Sequence, residues 1–256
     1  MAAPTTPHVD IHRAGDRRKT RTAWLDSKHS FSFGAHYDPE NTHHGLLLVN
    51  NDDIVAPGAG FDLHRHRDLE IVTWVLSGSL VHQDSLGHAG VIYPGLAQRV
   101  SAGSGIEHAE RNDSRRSAGE NRDVPVHFIQ MWVMPDEPGR PPDYRQHDVT
   151  ADLAGGALVP IASGLPRHRD TAAITINSRY SALHVARLRP GVPVLLPAAP
   201  YVHVFVARGD VTVEEIGPVY AGDAIRLRRD GARQVLAAAG AEILVWEMHA
   251  RLGGMR

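Results

Sequence analysis

From residue 24 onward, short apolar runs alternate with Gly, Pro, Asp, Asn and Ser, and no run keeps a 3.6-residue period long enough to make a convincing helix. Residues 45–49, 54–55, 61–66, 69–76, 79–83, 91–93, 96–102, 106–111 and 126–134 read as strands. The segment 24–34 ends in alternating aromatic and polar residues, as an edge strand would. Residues 37–41 and 50–53 are turns by composition, and Leu76–Ser77–Gly78–Ser79–Leu80 is a hairpin turn in which glycine supplies positive φ. Strands this short at this spacing predict an antiparallel, all-β sandwich or barrel.

Residues 135–144 hold four prolines, and proline cannot donate to a ladder and stiffens connections. The strand rhythm then resumes at 182–188, 192–196, 203–207, 211–215, 224–227 and 243–248. The predicted organisation is a basic lead-in over 1–20, a first β-domain over 21–134, a proline-rich linker over 135–146 and a second, similar β-domain over 147–256. The 256 residues carry a net charge of −2, 42% hydrophobic and 22% charged residues, enough to bury a core in each half. That balance predicts neither a nucleic-acid footprint nor a membrane-binding surface. No apolar run approaches the ~20 residues that span a bilayer, and the N-terminus lacks a secretory pattern. A cytoplasmic location is the expectation. With no cysteine, disulfides, thiolate ligands and a cysteine nucleophile are excluded.

Histidine is the unusual residue, at 17, but abundance alone decides nothing. Spacing does. His64 and His66 sit at i and i+2, as do His108 and Glu110, and alternate residues of a strand project from one face. If the two strands pass each other inside a barrel, three imidazoles and one carboxylate converge as ligands for a divalent transition metal. Parity also turns Glu70 inward unless a bulge intervenes, so Glu70 competes with Glu110 as the carboxylate. A lone His-x-His is weak, since strands carry histidine pairs on wet faces. His29, His36, His43, His44, His82, His88 and His127 lack partner spacing and read as surface or hydrogen-bonding residues. His184, His203 and His249 stand isolated in the second half, where the metal site is not expected to repeat. Arg65 and Arg67 read as solvated or paired with Asp68, Gly103 and Gly105 as turn glycines, Trp74 and Trp132 as core, and Gln98 as either a pocket-mouth or a β-surface residue.

The first half resembles a cupin: Gly58, His64, His66 and Glu70 follow its first motif, with Gly78 one residue late, and Gly95, Gly103, His108 and Asn112 follow its second. Ser101 replaces the usual proline there, and two extra residues precede His108. Those departures, with Trp24–Leu25–Asp26–Ser27, Phe31–Ser32–Phe33, Tyr37–Asp38–Pro39, the run from His64 to Gly78, Gln83–Asp84–Ser85–Leu86–Gly87 and the run from Ser101 to Glu110, resemble the pirin family, and within it bacterial members with quercetin 2,3-dioxygenase activity. The resemblance is dense over about residues 20–135 and only outlined beyond. It implies two tandem cupin (jelly-roll) barrels, a bicupin, with one divalent metal in the first barrel held by His64, His66, His108 and Glu110. It favours Glu110 over Glu70, and Fe2+ over Ni, Mn, Co, Cu or Zn. The implied activity is O2-dependent flavonol cleavage, with a small aromatic substrate and O2 as partners and Glu110 as catalytic proton acceptor. The alternative is a metal- or redox-sensing regulator acting through a protein partner.

Overall fold

In the computed structural model, which describes residues 8–112 and 124–254, the chain forms two β-barrels of parallel design. Each has a seven-stranded and a four-stranded sheet. In the first barrel the large sheet runs Asp143–Asp148, Leu96–Ser101, Glu70–Ser77, Val126–Val133, Leu47–Val55, Leu25–His29, Arg18–Arg21, and the small one Gly60–His66, Ile106–Arg111, Leu80–Asp84, Ala89–Ile92. The second barrel repeats the order around Tyr201–Arg208, Ala241–Met248 and Ser181–Leu188. The fold is all-β and bicupin.

Three segments differ from the sequence expectation. The proline-rich stretch does not stay a linker to 146, because Asp143–Asp148 pairs with Leu96–Ser101 and closes the edge of the first large sheet. The lead-in contributes two strands: Arg18–Arg21 extends the first sheet, and His8–His12 pairs with Ala224–Arg228 of the second. Residues 1–7 of that lead-in lie outside the described residues. In each large sheet a segment from outside that barrel's own run of strands pairs with an outer strand and becomes the new edge. Residues 50–53, polar enough to suggest a turn, lie inside the nine-residue strand Leu47–Val55 and are buried.

Strand parity explains the core. On one face of the first large sheet, Val72, Trp74, Ile129 and Met131 pack with Leu183, Leu244, Trp246 and Met248, so the two large sheets share one apolar core. Polar ties cross it: Trp74 Nε1 donates to Glu242 at 2.7 Å, Arg226 to the Ser30 carbonyl at 2.7 Å, and Asn177 to Glu70 at 3.2 Å. The opposite faces line the barrel interiors, and here the halves diverge. The second interior is a continuous aliphatic cluster including Leu188, Val204, Val213, Leu227 and Val245. The first is split into two smaller clusters, one around Val75, Ile92 and Phe128, the other around Ile71, Val100 and Ile106. Between them lies a buried polar layer containing Thr73, His82, Gln98, His108, Glu110 and Gln130.

Gly103 marks a close approach: its φ is +45°, and a Cβ there would sit 2.0 Å from the Arg140 carbonyl oxygen. Among the described residues no helix is long and apolar enough to cross a membrane.

Between the barrels, His44 and His203 are buried beside Arg226. Burial, with Arg226 next, pushes the His44 imidazole down to about 3 and holds His203 well below the usual range. A base depressed in the folded state keeps its full stability above its unfolded pKa of about 6.5 and loses it as pH falls toward 3, by up to about 1.4 kcal/mol per pH unit. Denaturant titrations at stepped pH should therefore show stability falling from pH 6.5 to 4, with a shallower slope in His44→Gln; an unchanged slope would remove His44 from the account.

Candidate metal centre

The strand Gly60–His66 runs antiparallel to Ile106–Arg111, with His66 opposite Ile106 and His64 opposite His108. This register, with period-2 alternation, brings the His64, His66 and His108 rings together, their centroids 4.5–4.9 Å apart. One ligand atom from each lies within 4.8 Å of the others, close to the roughly 3–4 Å spread of donors held ~2.1 Å from one ion. A register shift between His108 and Glu110 interrupts the pairing. Glu110 accordingly falls in a second, overlapping group with His82 and His108, again within 4.8 Å. Among the described residues these two groups are the ones able to hold a metal, and Glu70 is in neither. The Glu70 carboxylate instead accepts from Ser101 Oγ at 2.8 Å and from Asn177, a tie between barrels.

Hydrogen bonding assigns the tautomers. His64 Nδ1 lies 2.7 Å from the Asp62 carbonyl oxygen, which only accepts, so Nδ1 carries the proton and Nε2 a lone pair. His82 Nε2 lies 3.3 Å from the Asp84 carboxylate, so His82 donates there and presents a bare Nδ1 to His108 Nδ1, 3.4 Å away. His108 must donate across that contact, which frees its Nε2. The Nε2 atoms of His66 and His108 and Oε1 of Glu110 are buried without a hydrogen-bond partner. Such groups cost about 1–3 kcal/mol each if nothing answers them; an ion held by His64, His66 and His108 would answer the two imidazoles, with Glu110 beside it in the group that shares His108, so the donor set fits a metal. Burial, then the neighbouring histidines, pushes His66 and His108 down to about 3, so both imidazoles are neutral near pH 7 and available for ligation.

Glu110 is held from behind. Gln130 Nε2 donates to its Oε2 at 2.8 Å, and Trp132 Nε1 donates to Gln130 at 3.2 Å. Burial raises the Glu110 carboxyl above its ordinary range, against the Gln130 hydrogen bond and the nearby His82 and His64. Burial would raise Asp84 as well, but hydrogen bonds from the His88 backbone and ring, His82 and Leu86 hold it below the usual carboxylate range. Tyr144, from the strand expected as linker, stacks on His82 with ring centroids 4.8 Å apart.

A cavity of about 220 Å³ opens against these residues, lined by His64, His66 and Glu110, by Leu25, Phe33, Phe61 and Trp132, and by Thr20, Ser27, His29, Asn51, Asp53 and Gln130. Trp132 is therefore a cavity wall and not only core. His82 and His29, which lack partner spacing in the chain, join the site through strands that only the fold brings near. Gln98 is fully buried. No periodic signal pointed to these residues.

The family model described as Pirin matches residues 12–133. A Mycobacterium tuberculosis protein provisionally named a quercetin 2,3-dioxygenase is 56% identical over 248 residues, 97% of this chain and 98% of that one. The Escherichia coli K12 protein named quercetin 2,3-dioxygenase is 32% identical over 241 residues, 94% of this chain and 98% of that one. A crystal structure of the bacterial pirin YhhW from Escherichia coli in complex with nickel(II) superposes with a TM-score of 0.82 at 30% identity, over 96% of this chain and all of that one.

If His82 orients His108, His82→Ala should weaken Ni2+ or Fe2+ binding by the folded protein by roughly 10–100-fold, and His82→Gln should recover part of the loss. Metal titration by calorimetry reads this; unchanged affinity in both variants would exclude the role.

Proposed function

This chain belongs to the pirin family, and from that premise we propose that it is a metal-dependent dioxygenase that opens flavonols such as quercetin by inserting both atoms of O2. The observation that carries the reading is the convergence of three imidazoles, two of them with unanswered Nε2 atoms, beside a buried carboxylate on an aromatic-walled cavity. The proposed ligands are His64, His66, His108 and Glu110. The proposed ion is Fe2+, with Ni2+, present in the complex of the Escherichia coli relative, as its competitor. The proposed setting is cytoplasmic, with a small aromatic substrate and O2 as partners.

When bound, a divalent ion supplies Lewis acidity toward a flavonol's 3-hydroxyl and 4-carbonyl and a centre at which O2 can react. The chain supplies the rest. Neutral His66 and His108 compete little with protons for their lone pairs. Glu110 would take the hydroxyl proton on whichever carboxylate oxygen does not hold the ion, and the raised basicity of the buried carboxylate favours that transfer. Leu25, Phe33, Phe61 and Trp132 take the flat rings and keep water out, which strengthens the electrostatics inside.

The test is to purify the protein loaded separately with Fe, Ni, Mn, Co or Cu and follow the near-visible flavonol band under O2. The band should disappear catalytically with at least one ion. His64→Ala and His108→Ala should abolish turnover, and Glu110→Gln should lower kcat by roughly 100-fold. Stoichiometric metal with no turnover across a panel of flavonols would overturn the enzymatic reading and favour a metal-sensing role through a protein partner.

A further inference from the structure

The cavity has a second wall that no metal explains. It comes from the polar stretch inside Leu47–Val55 and its neighbours. Asn51 and Asp53 alternate on one face, with His29 directly opposite Asn51 and Ser27 directly opposite Asp53. Asn50 and Asp52 point the other way, off the cavity: Asn50 Nδ2 donates to Ser30 Oγ at 3.1 Å while its Oδ1 is left without a partner, and Asp52 bonds Arg17 and His127 at 2.6 Å each. On the cavity side, His29 is fixed by Asn51 at 2.9 Å and by Thr20 at 2.8 Å, and the Ser27 hydroxyl bonds Asp53. One group is left over. Asp53 is 3% exposed, and its Oδ1 is buried without a partner while the residue lines the cavity.

A buried carboxyl oxygen with nothing to bond is costly. A structural purpose does not account for it, since the nearby cation, Arg17, is committed to Asp52 on the opposite face. We propose that Asp53 is a ligand-binding residue whose free Oδ1 hydrogen-bonds a phenolic hydroxyl of a polyhydroxylated, planar aromatic ligand lying between this wall and the three histidines. This rests on the reading of the cavity as the flavonol site and adds the group that selects among flavonols. Either protonation state serves, since an acid donates to a phenol and a carboxylate accepts from one. Burial, opposed by Ser27 and reinforced by Asp52 and Glu110, places the carboxyl at about 7, so both forms are accessible near neutral pH. Leu25, Phe33, Phe61 and Trp132 hold the ring faces without reading hydroxyls, which leaves discrimination to the polar wall.

The experiment measures binding without turnover: Ni2+-loaded full-length protein, anaerobic, titrated with quercetin and with 3-hydroxyflavone, which keeps the 3-hydroxyl and 4-carbonyl but lacks the other hydroxyls. The wild type should bind quercetin about tenfold more tightly. Asp53→Leu should bring the two affinities within about twofold while leaving 3-hydroxyflavone binding and nickel content unchanged. Asp53→Asn, which keeps a hydrogen-bonding side chain, should restore part of the preference. Should the leucine variant not fold, Asp53→Ala takes its place. A wild type without preference, or a leucine or alanine variant that keeps it, overturns the proposal. Discrimination that depends on Asp53, with no cleavage when O2 is admitted to protein loaded in turn with Fe, Ni, Mn, Co or Cu, upholds it and sinks the dioxygenase reading; failure of both ligands to bind the wild type overturns both.

Discussion

The antiparallel register that sets His108 opposite His64 is the constraint on which the first barrel is organised. Shifting Ile106–Arg111 by one residue would turn His108 and Glu110 outward and Glu107 and Ala109 inward, because side chains alternate with period 2. With the register as it stands, the interior of this barrel cannot be a simple apolar fill. It carries a layer of imidazoles, carboxyls and amides between two small hydrophobic clusters. Several of those groups lack partners within the chain, and the proposed cation and ligand would answer that deficit.

A barrel hollowed in this way needs support from elsewhere, and the second barrel provides it. Its interior is an unbroken aliphatic cluster, and the strands matching the histidine-bearing pair shrink to Val194–Leu195 and Gln234–Leu236. The apolar sheet faces of both halves meet in the shared core of Trp74, Met131, Trp246 and Met248. The edge strands add to the bond between halves: His8–His12 crosses to the second sheet before the first barrel begins. Tyr144 on the late strand Asp143–Asp148 covers His82, so this closing strand also contributes to the site.

Much of this was legible in residue spacing. The two i, i+2 pairs named the histidines that meet, since alternation in a strand is a local property. The rhythm of turns predicted two β-domains for the same reason. The polar run at 50–53 was not legible. Composition favours a turn wherever four Asn and Asp residues follow one another, yet here each side chain finds a buried partner or a cavity on one face of a long strand. Local propensity lost to tertiary hydrogen bonding. His82 failed for a related reason: its ring matters only because Leu80–Asp84 pairs with Ile106–Arg111 and sets His82 opposite Glu110.

By itself the sequence determined the strand content, the duplicated architecture and the two same-face pairs, His64 with His66 and His108 with Glu110, because each follows from alternation within single strands and from turn chemistry. Only the tertiary structure decided which carboxylate stands near the histidines, Glu110 held by Gln130 while Glu70 is tied to Ser101 and Asn177. It alone decided that Asp53 faces the cavity and that distant segments close the two sheets. These depend on which strands become neighbours and in what register, and burial then fixes the cost of every polar group left without a partner.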